Sequence, residues 1–208
     1  MSNKKSSAQI FKEHFTKANL RDLYKSAIAD GASVGRDGVQ LKVFDARLDE
    51  EIDLILRKVK ACSYQFTSYK EKLVSKGAGK APRQLSIPTI RDKLVLKCLT
   101  RALAEIFPGQ VAWVPHSTIK QVHEVSQSRA ETDFYLRLDI ESYYPSIDHR
   151  ILRGILRKDI RSKQLLHLID NAIKTPTGKK KTAELNIKVG VPQRGCQSVR
   201  CHLDPPTG

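Results

Sequence analysis

The sequence predicts an α+β fold that is rich in helices and has short antiparallel hairpins. Apolar residues recur at helical spacing in four segments, 8–29, 45–60, 90–106 and 147–173. Two other segments, 69–88 and the one that starts at Thr175, have the turn residues that are typical of hairpins. The chain has 208 residues, of which 40% are hydrophobic, so it can bury a core as one large domain or two small ones. Wholesale disorder is excluded.

The helices are predicted from their apolar faces and their ends. The helix over 8–29 stops where glycines follow it. The helix over 45–60 begins with acidic residues and ends with basic ones, as the helix dipole favours. The long helix over 90–106 leads into an irregular segment, 107–130, that contains two prolines and the only tryptophan. The segment 147–173 is predicted to be helical, in one or two pieces.

Two hairpins are predicted from their turns. The first pairs 69–75 with 83–88 across a turn that contains two glycines. The second begins at the turn 175–178 and has its arms within 179–189. Beyond 193 the pattern has no period, so no element is predicted there.

The positive charge of the chain is concentrated in two blocks. The net charge is +15; residues 57–101 contribute +10 and residues 150–181 contribute +8. Two basic blocks that flank a near-neutral centre suggest a groove that follows the phosphates of a nucleic acid. The alternative is an ordinary solvated basic surface. Charge alone does not distinguish RNA, DNA and anionic lipid.

Location is predicted from what the sequence lacks. No run of about 18 apolar residues occurs, so no membrane span is predicted. The basic start has no apolar region behind it, so no secretory leader is expected. The 4 cysteines are too scattered for a disulfide scaffold and fit a reducing compartment. A cytoplasmic location is therefore expected.

A strand predicted over 134–140 ends in a carboxylate. Its even positions are all apolar and face a core, while Tyr135, Arg137 and Asp139 share the other face. An Asp at the end of a buried strand opens onto a cleft, which is a usual place for a metal-binding carboxylate. The alternative is a structural Asp that pairs with Arg137 or caps the helix near Ser146.

Four short segments stand in a recognisable order: 35–39 (GRDGV), 80–93 (KAPRQLSIPTIRDK), 139–149 (DIESYYPSIDH) and 190–193 (GVPQ). In that order they resemble the N-terminal motif, a fingers segment, motif A and the start of the GVPQG box of reverse transcriptases. The likeness is greatest to the bacterial group II intron-like class. Residues 113–116 (WVPH) stand where group II intron maturases have a different sequence. This difference points instead towards the defence-associated reverse transcriptases of bacteria. By this resemblance the chain is an N-terminal fragment of an RNA-directed DNA polymerase of one of these classes.

The resemblance implies the fingers and a partial palm of a right-hand polymerase. The chain then divides into an N-terminal helix (1–30), a fingers-like region (31–130), a partial palm (131–193) and an aberrant or truncated tail (194–208). Its partners would be an RNA template, a DNA or RNA primer and deoxynucleotide triphosphates, without a membrane.

The resemblance also implies a two-metal site for nucleotidyl transfer. Asp139 would be the catalytic carboxylate, holding Mg²⁺ or Mn²⁺ together with the carbonyl oxygen of Ile140. Tyr144 would lie under the sugar and select deoxynucleotides by excluding a 2′-hydroxyl; the alternative is a core tyrosine. Asp148 and His149 are expected to be structural, in the first turn of the next helix.

Further contacts to nucleotide and nucleic acid follow from the same resemblance. Arg83 would hold the incoming triphosphate with a lysine partner, Lys76 in preference to Lys72. Gln193 would contact the nucleotide and the template. The basic blocks themselves, and not the resemblance, supply the lysines expected to bind nucleic acid: Lys72, Lys80, Lys179, Lys180 and Lys181. The alternative for these lysines is solvated surface charge.

The sequence departs from the polymerase pattern after Gln193. Family members carry a second acidic motif, aromatic-x-Asp-Asp, and this chain contains no Asp-Asp pair. Arg194 stands where the family has Gly, and a frameshift or a degraded gene end would produce the tail that follows. The chain is therefore expected to be inactive alone. The alternative function is a non-catalytic nucleic-acid-binding remnant or module.

Overall fold

The computed structural model describes residues 5–29, 31, 33–75, 77–79, 82–108, 120, 123, 124, 127, 143–178 and 190–192. Its elements, in chain order, are α1 (Ser7–His14), α2 (Lys17–Ala27), α3 (Leu41–Ala46), α4 (Leu48–Lys60), β1 (Lys70–Val74), β2 (Arg83–Ile87), α5 (Ile90–Ile106), α6 (Tyr143–Ser146), α7 (His149–Asp159) and α8 (Lys163–Lys174). The predicted α+β class is confirmed at this level, since the described chain is rich in helices and contains an antiparallel hairpin.

Helix α5 lies at the centre of the core. Its residues Leu94, Val95 and Cys98 are fully buried, and α1, α2, α4 and α8 pack around it. The predicted helix over 90–106 is confirmed, because its start is fixed locally. The hydroxyl of Thr89 accepts the backbone N–H of Asp92 at 3.1 Å, which caps the first turn.

The single helix predicted over 8–29 is wrong, because the chain forms α1 and α2 with a break between them. Thr16 caps α2 by accepting the backbone N–H of Asn19 at 3.2 Å. The side chain of Asn19 in turn donates to the carbonyl of His14 at 2.6 Å, at the end of α1. Both helices bury apolar residues in the same core, Phe11 and Leu20 among them, so the apolar pattern continues across the break.

The helix predicted over 45–60 is corrected at its start. Residues up to Ala46 belong to α3, and Arg47 leaves the helical conformation (φ −120°, ψ 21°) before α4 begins. The predicted apolar stripe is confirmed, since Ile52, Ile55 and Val59 have no exposed surface.

The first hairpin is confirmed, with strands slightly shorter than predicted. Tyr69 lies outside β1 and instead forms a parallel bridge with Thr177. Its N–H donates to the carbonyl of Pro176, and its carbonyl accepts the N–H of Gly178, both at 2.9 Å. The start of the second predicted hairpin is thereby attached to the first hairpin. Its arms, at 179–189, lie outside the described residues.

The segment 147–173 forms two helices, α7 and α8. The hydroxyl of Ser7 accepts the N–H groups of Arg161 (2.9 Å) and Ser162 (3.1 Å) between them, which ties this connection to α1. The irregular segment predicted at 107–130 is wrong in part, because Lys120, His123, Glu124 and Gln127 are helical. The predicted strand at 134–140 lies outside the described residues. In the described part of the chain, no helix is long and apolar enough to cross a membrane.

Candidate nucleotide and nucleic-acid site

One face of the hairpin carries three cations. Val74 pairs with Arg83 and Lys72 with Leu85, and residues that oppose each other in an antiparallel pair share a face. Lys70, Lys72 and Arg83 therefore point to one side, and all three are exposed. Lys72 and Arg83 occupy diagonal positions, which long side chains span. We call this the cationic face; within the described residues, no ion pair involves these three side chains.

The structure brings together two of the predicted contact residues, Lys72 and Arg83. The preferred partner, Lys76, lies outside the described residues, so its role stays a prediction. Lys70 was not singled out from the sequence. Its two-residue spacing from Lys72 was the available signal, because alternate residues of a strand share a face.

The opposite face of the hairpin is turned towards the segment that follows α8. Ser86 is buried, and its hydroxyl is hydrogen-bonded to that of Thr177 at 2.7 Å. Gln84 donates to the carboxylate of Glu71 at 2.7 Å on the same side. The hairpin thus has a polar attached face and a cationic exposed face.

The turn 35–39 packs directly against the end of the hairpin. A Cβ at Gly35 would lie 2.5 Å from the Cα of Thr89 and 3.1 Å from the carbonyl oxygen of Pro88, so only glycine fits there. The guanidinium of Arg36 donates to the carbonyl of Gly178 at 2.6 Å. Two of the four resemblance segments, 35–39 and 80–93, are therefore in contact.

Asp92, in the second of these segments, belongs to a buried hydrogen-bond network. The hydroxyl of Tyr64 donates to its carboxylate at 2.7 Å, and the N–H of Thr67 does so at 3.0 Å. Burial raises the pKa of the Asp92 carboxyl above its usual value, and the hydrogen bonds oppose that shift. Thr89 and Asp92 therefore stabilise the start of α5. The Thr-x-x-Asp spacing was the sequence signal for the cap, and nothing local indicated the Tyr64 partner.

Part of the positive charge counted in the sequence is neutralised inside the fold. The guanidinium of Arg91 donates to the carboxylate of Glu51 through Nε (2.5 Å) and Nη2 (2.8 Å), and this ion pair joins α5 to α4. Arg153 binds Asp170 at 2.9 Å and joins α7 to α8. These two arginines serve packing, so the exposed cations of the hairpin matter more for a ligand than the block totals suggest.

Tyr144 lies next to the start of the fourth segment. The N–H of Val191 donates to the carbonyl of Tyr144 at 2.9 Å, and the N–H of Gly190 donates to that of Ile147 at 2.8 Å. The Tyr144 ring is 46% exposed and meets the ring of Tyr143 edge to face, with centroids 5.5 Å apart. Neither ring lies in the core, so the alternative of a core tyrosine does not describe Tyr144.

Asp148 and His149 stand at the first turn of α7, as predicted. The carboxylate of Asp148 caps α7 by accepting the N–H groups of Arg150 (2.7 Å) and Ile151 (3.1 Å), and these bonds lower its pKa. His149 is buried and donates to the carbonyl of Gly190 at 2.6 Å.

The remaining predicted site residues lie outside the described residues: Asp139, Ile140, Gln193, Lys80, Lys179, Lys180 and Lys181. Their roles stay predictions. Among the residues that are described, no group of three or more His, Cys, Asp or Glu is placed to hold a metal ion.

Two curated proteins resemble this chain. Over 153 residues it is 25% identical to Protein YkfC of Escherichia coli (strain K12), covering 67% of this chain and 39% of that protein. Over 142 residues it is 25% identical to an uncharacterized 91 kDa protein in the cob intron of Schizosaccharomyces pombe, covering 65% of this chain and 18% of that protein. The chain thus spans less than half the length of either relative. No family model matches it.

Proposed function

We propose that this chain is the fingers and part of the palm of a reverse-transcriptase-like polymerase, which binds a template–primer and deoxynucleotide triphosphates. The observation that carries the proposal is the packing of segments that belong to one ordered set of motifs but lie far apart in sequence. Gly35 lies against Thr89, and the N–H of Val191 is bonded to Tyr144. The similarity to a protein in a cob intron supports a relation to the intron-like class of reverse transcriptases.

In this proposal the cationic face of the hairpin binds phosphate. Arg83 supplies a planar fork that matches two phosphate oxygens, and Lys72 supplies a mobile point charge beside it. Lys70 continues the face along β1. Because all three side chains are exposed, a triphosphate or a nucleic-acid backbone can reach them without a change of fold.

Asp139 and Ile140 would hold the metal ion. A carboxylate and a peptide carbonyl are hard oxygen donors, which is the ligand type that Mg²⁺ and Mn²⁺ take in such sites. When bound, the ion would offset the negative charge of the transferred phosphoryl group. The half-exposed ring of Tyr144 is available to contact a sugar, and Gln193 directly follows the turn that is bonded to Tyr144.

A second candidate function is a nucleic-acid-binding module without catalysis. It is favoured by one observation, the three exposed cations of the hairpin, which can bind phosphate without a metal ion. Such a module would use the same cationic face. The two candidates are distinguished by reading the gene beyond codon 193 in all frames. An aromatic-x-Asp-Asp string there supports the polymerase, and its absence supports the module.

Nucleic-acid binding is expected to weaken steeply with salt. If about six phosphates are contacted, affinity for single-stranded RNA or DNA falls roughly 300-fold between 50 and 200 mM salt, because bound cations release counterions. Replacing Lys72 and Arg83 together by Gln is expected to lower the slope of log affinity against log salt by about 1.4. Fluorescence anisotropy titrations at four salt concentrations measure both quantities.

A matched control removes the same charge elsewhere. Lys12 and Lys25 are exposed on α1 and α2, and the Lys12→Gln/Lys25→Gln variant is expected to keep the wild-type slope. Binding that is indifferent to salt, or an equal loss of slope in both double variants, contradicts the assignment of the cationic face.

No primer extension is expected from the 208-residue chain itself. Without the second pair of carboxylates a two-metal site loses several kcal/mol of transition-state stabilisation, which is on the order of many powers of ten in rate. The test is extension of a labelled primer on a homopolymer template, with Mg²⁺ and Mn²⁺ in separate reactions. Extension that disappears in Asp139→Asn would overturn this prediction and show that another carboxylate completes the site.

A further inference from the structure

We propose that His149 is a positioning residue, which holds the turn at Gly190–Pro192 in place beside Tyr144. The inference concerns the geometry of this turn. Its consequence for nucleotide binding rests on the proposed function, since Gln193 is a nucleotide contact only in that reading.

Among the described residues, the imidazole of His149 makes one hydrogen bond, and that bond reaches the turn. The side chain is 4% exposed, and its Nε2 lies 2.6 Å from the carbonyl oxygen of Gly190. A carbonyl oxygen accepts hydrogen bonds and cannot donate, so Nε2 carries the proton. In the neutral ring Nδ1 is then unprotonated, and it has no partner among the described residues. His149 is thus held in one tautomer by one contact.

Backbone bonds dock the other side of the same turn. The N–H groups of Gly190 and Val191 donate to the carbonyls of Ile147 and Tyr144. Gly190 has φ +94°, and a Cβ there would lie 3.3 Å from the carbonyl oxygen of Pro145. Only glycine combines that conformation with that approach. Among the described residues, three bonds dock the turn, and of these the one from His149 is the one that a side-chain substitution removes.

Gln193 is joined directly to the end of this turn, so its attachment point depends on the position of the turn. The ring of Pro192 fixes its φ, which removes one of the rotations between the turn and the residue that follows it. Tyr144 is bonded to the same turn through its carbonyl. Loss of the His149 contact is therefore expected to loosen the end of the turn that leads to Gln193 and its attachment to the helix α6, which carries Tyr144.

A purely structural buried histidine predicts something different. It would pack against its neighbours, and its replacement by an apolar residue of similar size would affect the whole core or nothing. A positioning role predicts a local effect that depends on the N–H donor. Gln can place an amide N–H close to where Nε2 lies, whereas Met fills the space and donates nothing. The pair His149→Gln and His149→Met separates the two roles.

The first experiment measures the geometry in the full chain. In ¹⁵N-labelled wild-type protein, the His149 ring is expected to show the Nε2–H tautomer. Hydrogen exchange is expected to show at least tenfold faster exchange of the Gly190 and Val191 amides in His149→Met than in wild type. His149→Gln should recover most of the protection, and amides in α5 should be unchanged in both variants.

The inference is overturned by an Nδ1–H tautomer, or by unaltered exchange at Gly190 and Val191 in His149→Met. Faster exchange throughout α5 would mean a structural role and would also overturn it. If His149→Met does not fold, the tautomer in wild type and the exchange of His149→Gln still decide the question.

A second experiment measures the effect of the same variants on nucleotide affinity. Binding of a deoxynucleotide triphosphate to the chain with template–primer and Mg²⁺ is expected to weaken about tenfold in His149→Met and to recover in His149→Gln, while template–primer affinity stays unchanged. If wild type binds no deoxynucleotide, the proposed function fails, and the exchange result still tests the positioning role. Equal nucleotide affinity in all three proteins would overturn the link to Gln193.

Discussion

Replacement of Asp92 by Ala is expected to lower the free energy of unfolding by about 3 kcal/mol, because it leaves the buried hydroxyl of Tyr64 and the part-buried N–H of Thr67 without their acceptor. The carboxylate is 1% exposed and accepts the hydroxyl of Tyr64 and the N–H of Thr67. Tyr64 is 1% exposed, so solvent does not replace the lost acceptor of its hydroxyl. The expected change in the free energy of unfolding is the sum of this desolvation cost and the cost of the small cavity that Ala leaves. Urea denaturation, followed by circular dichroism, measures the change.

Two further variants show whether the network is the cause. Tyr64→Phe removes one donor and is expected to cost about 1 kcal/mol. Asp92→Asn keeps the shape and removes the charge. A loss below about 1 kcal/mol in Asp92→Ala would contradict the network, because a single unsatisfied buried group already costs that much.

The Asn variant also gives the sign of the pH dependence. Burial raises the pKa of Asp92 in the folded chain above its unfolded value, so the folded state binds its proton more tightly. The stability that this proton contributes is complete below the unfolded pKa and is lost as the pH rises through the folded pKa. The stability of wild type relative to Asp92→Asn is therefore expected to fall with rising pH. A difference that rises with pH contradicts the raised pKa.

Replacement of Gly35 by Ala is expected to destabilise the chain by about 3 kcal/mol, because the added methyl has no space. It would lie 2.5 Å from the Cα of Thr89 and 2.8 Å from its backbone nitrogen. Both atoms belong to the backbone at the cap of α5, so the obstacle cannot rotate away. The turn 35–39 must then move off the start of α5. Thermal and urea denaturation measure the loss.

Gly154 provides the matched control. It lies within α7, and apart from the helix's own neighbouring backbone no described atom lies within 4 Å of the position its Cβ would take. The same substitution there, Gly154→Ala, is expected to raise stability by about 0.5–1 kcal/mol, because alanine favours a helix interior. Changes of the same sign at both glycines would show that the contact with Thr89 is not what Gly35 is needed for.

Elements with local signals were predictable from the sequence alone. The helix α5 matches its prediction at both ends because Thr89 caps it and its apolar residues repeat at helical spacing. The first hairpin is confirmed because its turn residues and its strands lie within 20 residues of one another. The break at Thr16 was missed, because one apolar pattern runs through two helices that share a core.

The candidate site, too, was predicted from the sequence in some respects and required the structure in others. Its order of motifs, and the choice of Arg83 and Tyr144, came from the sequence. The exposed face that joins Lys72 to Arg83 depends on strand register, which fixes which alternate residues share a side.

The sequence by itself determined helix α5, the apolar stripe of α4, the first hairpin and the order of the motifs, because capping, periodicity and turn chemistry act between near neighbours. The tertiary structure alone decided which polar groups are buried together. Asp92 meets Tyr64 and His149 meets Gly190 in the interior, while the exposed Arg36 reaches Gly178 across 142 residues of chain. A buried polar group must find a partner wherever packing brings one. That partner is set by how the helices pack around α5, and no local pattern records it.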